Sequence, residues 1–146
     1  MIETVVIATD GSASAERAVR AGADLAERFG AAVHALYVVD RGEVAASPTD
    51  VREDFERALT TEGGRALSDA IELADGDLTT AVREGDPASE IVAYAREQDA
   101  DVIATGTRGR HGEHRFLLGS VADAVVRRAE MPVLTVRQLS PDDVPV

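Results

Sequence analysis

Glycines and a hydroxyl with the spacing of a phosphate site follow an apolar run near the middle of the chain. They form the pattern Gly106-x2-Gly109-x9-Gly119-Ser120, which ends where a helical period begins. Glycine lets a backbone approach a ligand closely, and the free amides at a helix start suit a phosphate group. Ser120 adds a hydroxyl at the same place. The pattern therefore predicts a phosphate-binding loop.

The segment between these glycines is locally basic, with two more bases than acids. Its charged and histidine residues are Arg108, Arg110, His111, Glu113, His114 and Arg115. Guanidinium groups match pairs of phosphate oxygens, so the segment favours a polyphosphate ligand. The alternative is a surface loop whose arginines pair with nearby acids. The histidine pair alone offers too few ligands for a zinc site, so we do not expect a metal there.

Acidic residues follow two other apolar runs. Asp10 precedes Gly11-Ser12, where it would bind the metal or phosphate side of a ligand or simply form a turn or cap. Asp40 would bind ribose hydroxyls, as acids after a second strand do in dinucleotide folds, or be a solvated loop acid. Asp10 with Mg²⁺ is the only obvious start for phosphoryl chemistry, which also needs a group to orient water.

Short β-branched runs alternate with stretches of helical period, which is typical of βαβ units. We therefore predict an α/β fold, an open doubly wound parallel sheet of five strands with helices on both faces. The predicted strands are Thr4–Ala8, Ala32–Val39, Leu78–Val82, Val102–Thr105 and Val133–Val136, the first two central and the third and last peripheral. Ligands of such sheets bind at the carboxyl ends of the strands, where all the candidate residues above lie.

Four helices are predicted between these strands. Their apolar faces begin at Ala15, Val51, Ala88 and Val121 and end at Phe29, Ala74, Ala95 and Ala129. Gly30 is placed to end the first helix, and Asp86-Pro87 to start the third. Gly63-Gly64 weakens the second helix and leaves a bend open. The segment from Arg41 to Asp50 is expected to be a lid or slack chain.

Composition limits the possible functions. The 146 residues suit one domain, residues 1–137, with a mobile tail at 138–146. There is no cysteine, no apolar run long enough to span a membrane, and no basic segment after Met1, so a cytoplasmic location is expected. The net charge of −12 argues against nucleic acid and membrane partners.

Known catalytic motifs are absent. The chain has no lysine and hence no G-x-x-x-x-G-K-[ST] sequence, which excludes a P-loop NTPase. No G-x-S-x-G elbow is present, which argues against an α/β-hydrolase. A nucleotide-binding regulatory module is therefore favoured, and the alternatives are a slow ATPase or phosphotransferase and a dimeric scaffold with an empty site.

The motifs present in the chain together resemble those of the universal stress protein family, over residues 2 to 137. The glycine pattern matches that of its ATP-binding branch. Further landmarks are Val6-Ile7-Ala8-Thr9-Asp10-Gly11-Ser12, Leu36-Tyr37-Val38-Val39-Asp40, Gly85-Asp86-Pro87 with Ile91, and Met131-Pro132-Val133-Leu134-Thr135-Val136. The resemblance implies the strand order 3-2-1-4-5, bound ATP with Mg or Mn, a homodimer through Val133 to Val136, and an unknown regulatory protein partner.

The resemblance also implies the residues of the site. Asp10 would hold the metal, Val38 would meet adenine through its backbone, and Gly106 would lie near the ribose. The phosphates would be lined by Gly109, Gly119, Ser120 and Val121. The full set of implied nucleotide-binding residues is Ala8, Thr9, Asp10, Val38, Asp40, Thr105, Gly106, Arg108, Gly109, Gly119, Ser120 and Val121.

The charge composition generates a prediction about salt. All 15 bases are arginine against 27 acids, which indicates either a halophilic protein or an acidic protein from an arginine-rich genome. Repulsion between acids extends over about 30 Å at 0.01 M salt and about 3 Å at 1 M. A halophilic protein should therefore unfold at a rising temperature along a potassium chloride series, measured by differential scanning calorimetry. A midpoint that stays flat or falls above about 0.1 M salt contradicts this interpretation.

Overall fold

The predicted runs form a parallel sheet of five strands in a computed structural model that describes residues 1–107 and 118–137. The strands are β1 (Thr4–Ala8), β2 (Ala32–Asp40), β3 (Thr79–Gly85), β4 (Val102–Gly106) and β5 (Val133–Val136). Their order is β3-β2-β1-β4-β5, with every pairing parallel. The predicted fold class, strand order and edge position of the last strand are confirmed.

Helices cover both faces of this sheet. They are α1 (Ala13–Phe29), α2 (Arg41–Ala46), α3 (Arg52–Leu73), α4 (Pro87–Glu97) and α5 (Ser120–Arg128). One core cluster joins α1, α2 and α3 to the sheet, and a second joins α4 and α5 to the opposite face. β1 contributes to both clusters, because alternate residues of a strand point to opposite faces. No helix among these is long and apolar enough to cross a bilayer.

Local sequence signals set the helix ends. The side chain of Ser12 accepts a hydrogen bond from the Ala15 amide at the start of α1, and Gly30 ends that helix with φ 65°. Asp86 caps α4 in the same way, with proline at the first helical position, as predicted. Hydrogen bonds from Ser89 hold the pKa of Asp86 below its ordinary value.

Several details differ from the sequence-based predictions. Phe29 and Val51 were expected to face inward, but they are 51% and 44% exposed. Phe29 is the last residue of α1 and Val51 precedes the first residue of α3, so both lie at helix ends, where a periodic pattern can outlast the packed face. The third strand begins one residue later and ends at Gly85 rather than Val82. The tail at 138–146 lies outside the described residues.

The helix α3 runs without interruption through Gly63-Gly64, and these neighbours serve different purposes. Gly63 lies against the ring of Tyr37, so that a Cβ added there would come within 2.5 Å of Tyr37 Cε1. Tyr37 is only 1% exposed and cannot move aside easily. A Cβ on Gly64 would meet nothing within 4 Å. Gly63 is therefore required by packing, whereas Gly64 only weakens the helix.

Substitution of the two glycines should change stability in opposite directions. Gly63→Ala should destabilise the protein, since overpacking a core typically costs about 1–3 kcal/mol. Gly64→Ala should stabilise it by up to about 1 kcal/mol, because alanine is the better helix former. Urea unfolding of both variants measures the difference. Equal effects of the two substitutions would show that helix propensity, not the Tyr37 contact, determines the sequence here.

Candidate nucleotide site

A cavity opens at the carboxyl ends of β1, β2 and β4. Its volume is about 340 Å³, which lies within the range of small-molecule sites. The cavity is lined by Ala8, Thr9, Asp10, Ala15, Leu36, Tyr37, Val38, Asp40, Glu43, Pro87, Ile91, Thr105, Gly106, Thr107, Gly119, Ser120, Val121 and Ala122. Segments distant in sequence, from the end of β1 to the start of α5, thus share one concave surface.

Every predicted site residue that the structure describes lines this cavity. These are Ala8, Thr9, Asp10, Val38, Asp40, Thr105, Gly106, Gly119, Ser120 and Val121. Arg108 and Gly109 lie outside the described residues, as do Arg110, His111, His114 and Arg115. The structure therefore brings the described candidates together, and their contacts with a ligand stay a prediction.

The turn after β1 is held by its own side chains. Asp10 Oδ1 accepts a hydrogen bond from the Ser12 amide at 2.9 Å, and Thr9 Oγ1 accepts one from the Gly11 amide at 3.2 Å. Gly11 has φ 81°, which an L side chain adopts only with strain. Asp10 thus has the turn-forming role that was the alternative for it, while its half-buried side chain also lines the cavity. The two roles are compatible.

Gly106 is required by the packing of α1. A Cβ there would lie 2.8 Å from the Ser14 carbonyl carbon and closer still to the Ser14 hydroxyl. Ser14 is fully buried, and its hydroxyl donates a hydrogen bond to the Val136 carbonyl at 2.9 Å. The glycine therefore allows the first turn of α1 to approach β4 beneath the cavity. Ser14 was not among the predicted site residues, because its importance depends on residues 122 positions away.

The start of α5 presents backbone amides to the cavity. Gly119 is its N-cap residue, with no side-chain hydrogen bond to the first turn. The Gly119 amide itself donates a hydrogen bond to the Thr107 carbonyl at 2.6 Å. It is therefore not one of the free amides that a phosphate could use. The next amides, from Ser120 to Ala122, have no partner within the helix. This helix end is suited to an anion.

Acidic side chains occupy a different part of the wall. Asp40 Oδ1 accepts hydrogen bonds from the amides of Gly42 and Glu43, at 2.9 and 3.2 Å, and so caps α2. This capping role was not predicted, and the ribose-binding role of Asp40 stays a prediction, since the residue also lines the cavity. It also starts a helix in the segment expected to be a lid or slack chain, and that helix places Glu43 at the cavity.

The wall residues that sequence reasoning missed are apolar or aromatic, apart from Glu43 and Thr107. They line the cavity through tertiary packing and carry no chemical signal of their own. Pro87 and Ile91 belong to a recognised landmark, but nothing indicated that they would reach the site. Within residues 1–107 and 118–137, no three acidic or histidine side chains are close enough to hold a metal ion. The described cavity wall includes acids and hydroxyls but no arginine.

Comparison with solved structures identifies the same fold in nucleotide complexes. A universal stress protein in complex with cAMP superposes with a TM-score of 0.69 at 27% identity, over 94% of this chain and 99% of that one. The universal stress protein from Archaeoglobus fulgidus in complex with dAMP superposes with a TM-score of 0.65 at 25% identity, over 94% and 98% of the chains.

Sequence comparison agrees with the structural one. A universal stress protein of Methanocaldococcus jannaschii is 37% identical over 142 residues, which cover 94% of this chain and 84% of that protein. The sequence model of the universal stress protein family matches residues 1–137. This match covers every element of the sheet and every described residue of the cavity wall. The chain therefore belongs to the universal stress protein family.

Proposed function

We propose that this protein binds an adenine nucleotide, ATP in particular, in the cavity above β1, β2 and β4. The observation that carries the proposal is the gathering of all described candidate residues around one cavity, which includes the start of α5 with its glycine N-cap. Structural relatives in complex with cAMP and dAMP support an adenine nucleotide, since both ligands contain adenine and phosphate.

The two ends of the cavity suit the two ends of a nucleotide. Leu36, Val38 and Ile91 provide an apolar wall on the side of β2 and α4, which suits the flat face of a base. Ser120 and Val121 lie at the start of α5, where helix amides and a hydroxyl suit phosphates. Asp40 and Gly106, at the ends of β2 and β4, also line the cavity.

ATP is proposed over nucleotides with fewer phosphates because of the sequence between Gly106 and Gly119. The glycine pattern matches the ATP-binding branch of the family, and its arginines would neutralise additional phosphates. Mg²⁺ usually binds through one or two carboxylates together with substrate phosphates. Asp10 fits that role as a single protein ligand. A cation would therefore arrive with the nucleotide, held by its phosphates and Asp10.

A regulatory binding module fits this site better than an enzyme. Phosphoryl transfer needs a group that orients the nucleophile and positive charge that stabilises the transferred phosphoryl. The lysine of a P-loop and the serine elbow of a hydrolase are both absent from the chain. Retention of ATP, with the presence of bound ATP signalled to a protein partner in a stress response, is the function that we propose.

A substitution at the start of α5 tests the site. Val121→Glu places a carboxylate at the second residue of α5. The helix dipole stabilises a negative charge there, but that charge would repel phosphate. We expect at least about tenfold weaker ATP binding by isothermal titration calorimetry, because like charges about 4 Å apart repel by more than the energy of a tenfold change unless water fully screens them.

Val82→Glu is the control for this experiment. Val82, on the edge strand β3, is 51% exposed and does not line the cavity. The control should bind ATP like the unmodified protein, and both variants should unfold near the same temperature. Unchanged ATP affinity in Val121→Glu, or equal losses in both variants, would mean that the nucleotide does not bind here.

We also propose that the protein forms a homodimer through β5. This strand is an edge of the sheet, and an exposed edge is normally protected by pairing or by charge. Leu134 of β5 is 36% exposed, and Val126 on the neighbouring α5 is 44% exposed. In a dimer with a twofold axis, the β5 edge of each copy would cover the β5 edge of the other, as in other closed dimers.

The opposite edges of the sheet provide a matched test of the dimer. Leu134→Arg should convert the dimer to monomer at micromolar concentration, because a charge would be buried in the interface without a partner. Val82→Arg should leave the dimer intact, since Val82, although 51% exposed, lies on the other edge strand, β3. Light scattering in molar salt measures both. A monomeric unmodified protein would exclude this interface.

A further inference from the structure

Two of the three acids that line the described cavity wall lie on the side of the proposed base site. Asp40 and Glu43 line the wall at the end of β2, the strand that also contributes Val38. The start of α5, where phosphates would bind, lies beyond β4 on the other side of β1. A nucleotide with its phosphates at α5 therefore directs its base toward the carboxylates.

The helix that carries Glu43 is firmly held. Val44, the next residue, is 1% exposed and belongs to the core cluster that includes Tyr37 and Leu59. Arg41 forms an ion pair with Glu56 of α3 at 2.8 Å. These contacts connect α2 to the core and to its neighbouring helix. The orientation of α2 is thus determined before any ligand binds.

Arg52 fixes the other end of α2. Its Nη2 donates hydrogen bonds to the carbonyls of Ala45 and Ser47, both at 3.1 Å. The Ser47 hydroxyl also donates to the Val44 carbonyl at 2.6 Å. With Asp40 capping the first turn, α2 is anchored at both ends despite its six residues. Glu43 is a preorganised, half-buried acid on the cavity wall.

We propose that Glu43 determines base specificity by accepting a hydrogen bond from the exocyclic amino group of adenine. A carboxylate only accepts hydrogen bonds, so it favours an amino group over the carbonyl at the same ring position of hypoxanthine or guanine. Asp40 contributes by capping the helix that carries Glu43. The inference rests on the proposed function and adds the residue that selects the base.

The test compares ATP with ITP, which carries a carbonyl in place of the amino group. The unmodified protein should bind ATP at least about tenfold more tightly than ITP, the size of effect of one hydrogen bond to a charged group. Glu43→Gln should reduce this ratio to a few-fold. ATP should bind more weakly because a neutral amide oxygen replaces a charged acceptor, and the glutamine amide can also donate to the carbonyl of ITP. Isothermal titration calorimetry measures each affinity.

Glu72→Gln is the control, with the same chemical change at an exposed position of α3 outside the cavity. It should keep the ratio of the unmodified protein, and 2′-deoxy-ATP provides a second control for contacts with the ribose. A Glu43→Gln variant that weakens ATP and ITP equally, or alters only the ratio of ATP to 2′-deoxy-ATP, overturns the proposal.

The same measurements separate this inference from the proposed function. If the unmodified protein binds ATP and ITP equally, nucleotide binding stands and the role of Glu43 alone is wrong. If the unmodified protein binds no nucleotide, the proposed function fails and the role of Glu43 fails with it.

Discussion

The close contact between α1 and β4 at Gly106 is the constraint on which the site depends. Because residue 106 has no side chain, the first turn of α1 approaches the strand, and the buried Ser14 hydroxyl reaches the Val136 carbonyl. The same carbonyl accepts a hydrogen bond from the Thr107 amide, and the Thr107 carbonyl accepts one from the Gly119 amide. This close approach and three hydrogen bonds thus join α1, β4, β5 and the start of α5 at the cavity.

This arrangement assigns distinct tasks to glycines that look alike in the sequence. Gly106 provides close packing, Gly11 provides a positive φ in the turn after β1, and Gly119 caps α5 in an extended conformation. Only the last has the role expected of a phosphate-binding helix start, and even its amide bonds to the protein. A Cβ at Gly106 or Gly11 would meet Ser14 or Ala66, so these two glycines serve packing and turn geometry within the protein.

Capping explains how the polar wall is built. The carboxylates of Asp10 and Asp40 both accept hydrogen bonds from backbone amides just downstream, so each ends a strand and directs the chain that follows. Asp40 in particular starts α2, and α2 carries Glu43 to the cavity. A side chain that would be classified as structural therefore positions one that faces the ligand space. Turn formation and site formation are the same event here.

Periodicity and short motifs in the sequence determined the fold class, the parallel strands and the ends of α1 and α4, whereas the set of predicted site residues came from the family resemblance. These signals are local, since strand and helix periods, N-caps and strand-end positions need only neighbouring residues. Tertiary structure alone decided the contact of Ser14 with Val136, the packing of Gly63 on Tyr37, and the presence of Glu43 in the wall. Each of these depends on residues far apart in the chain or on the orientation of a short helix, and a local sequence pattern indicates neither of these two things.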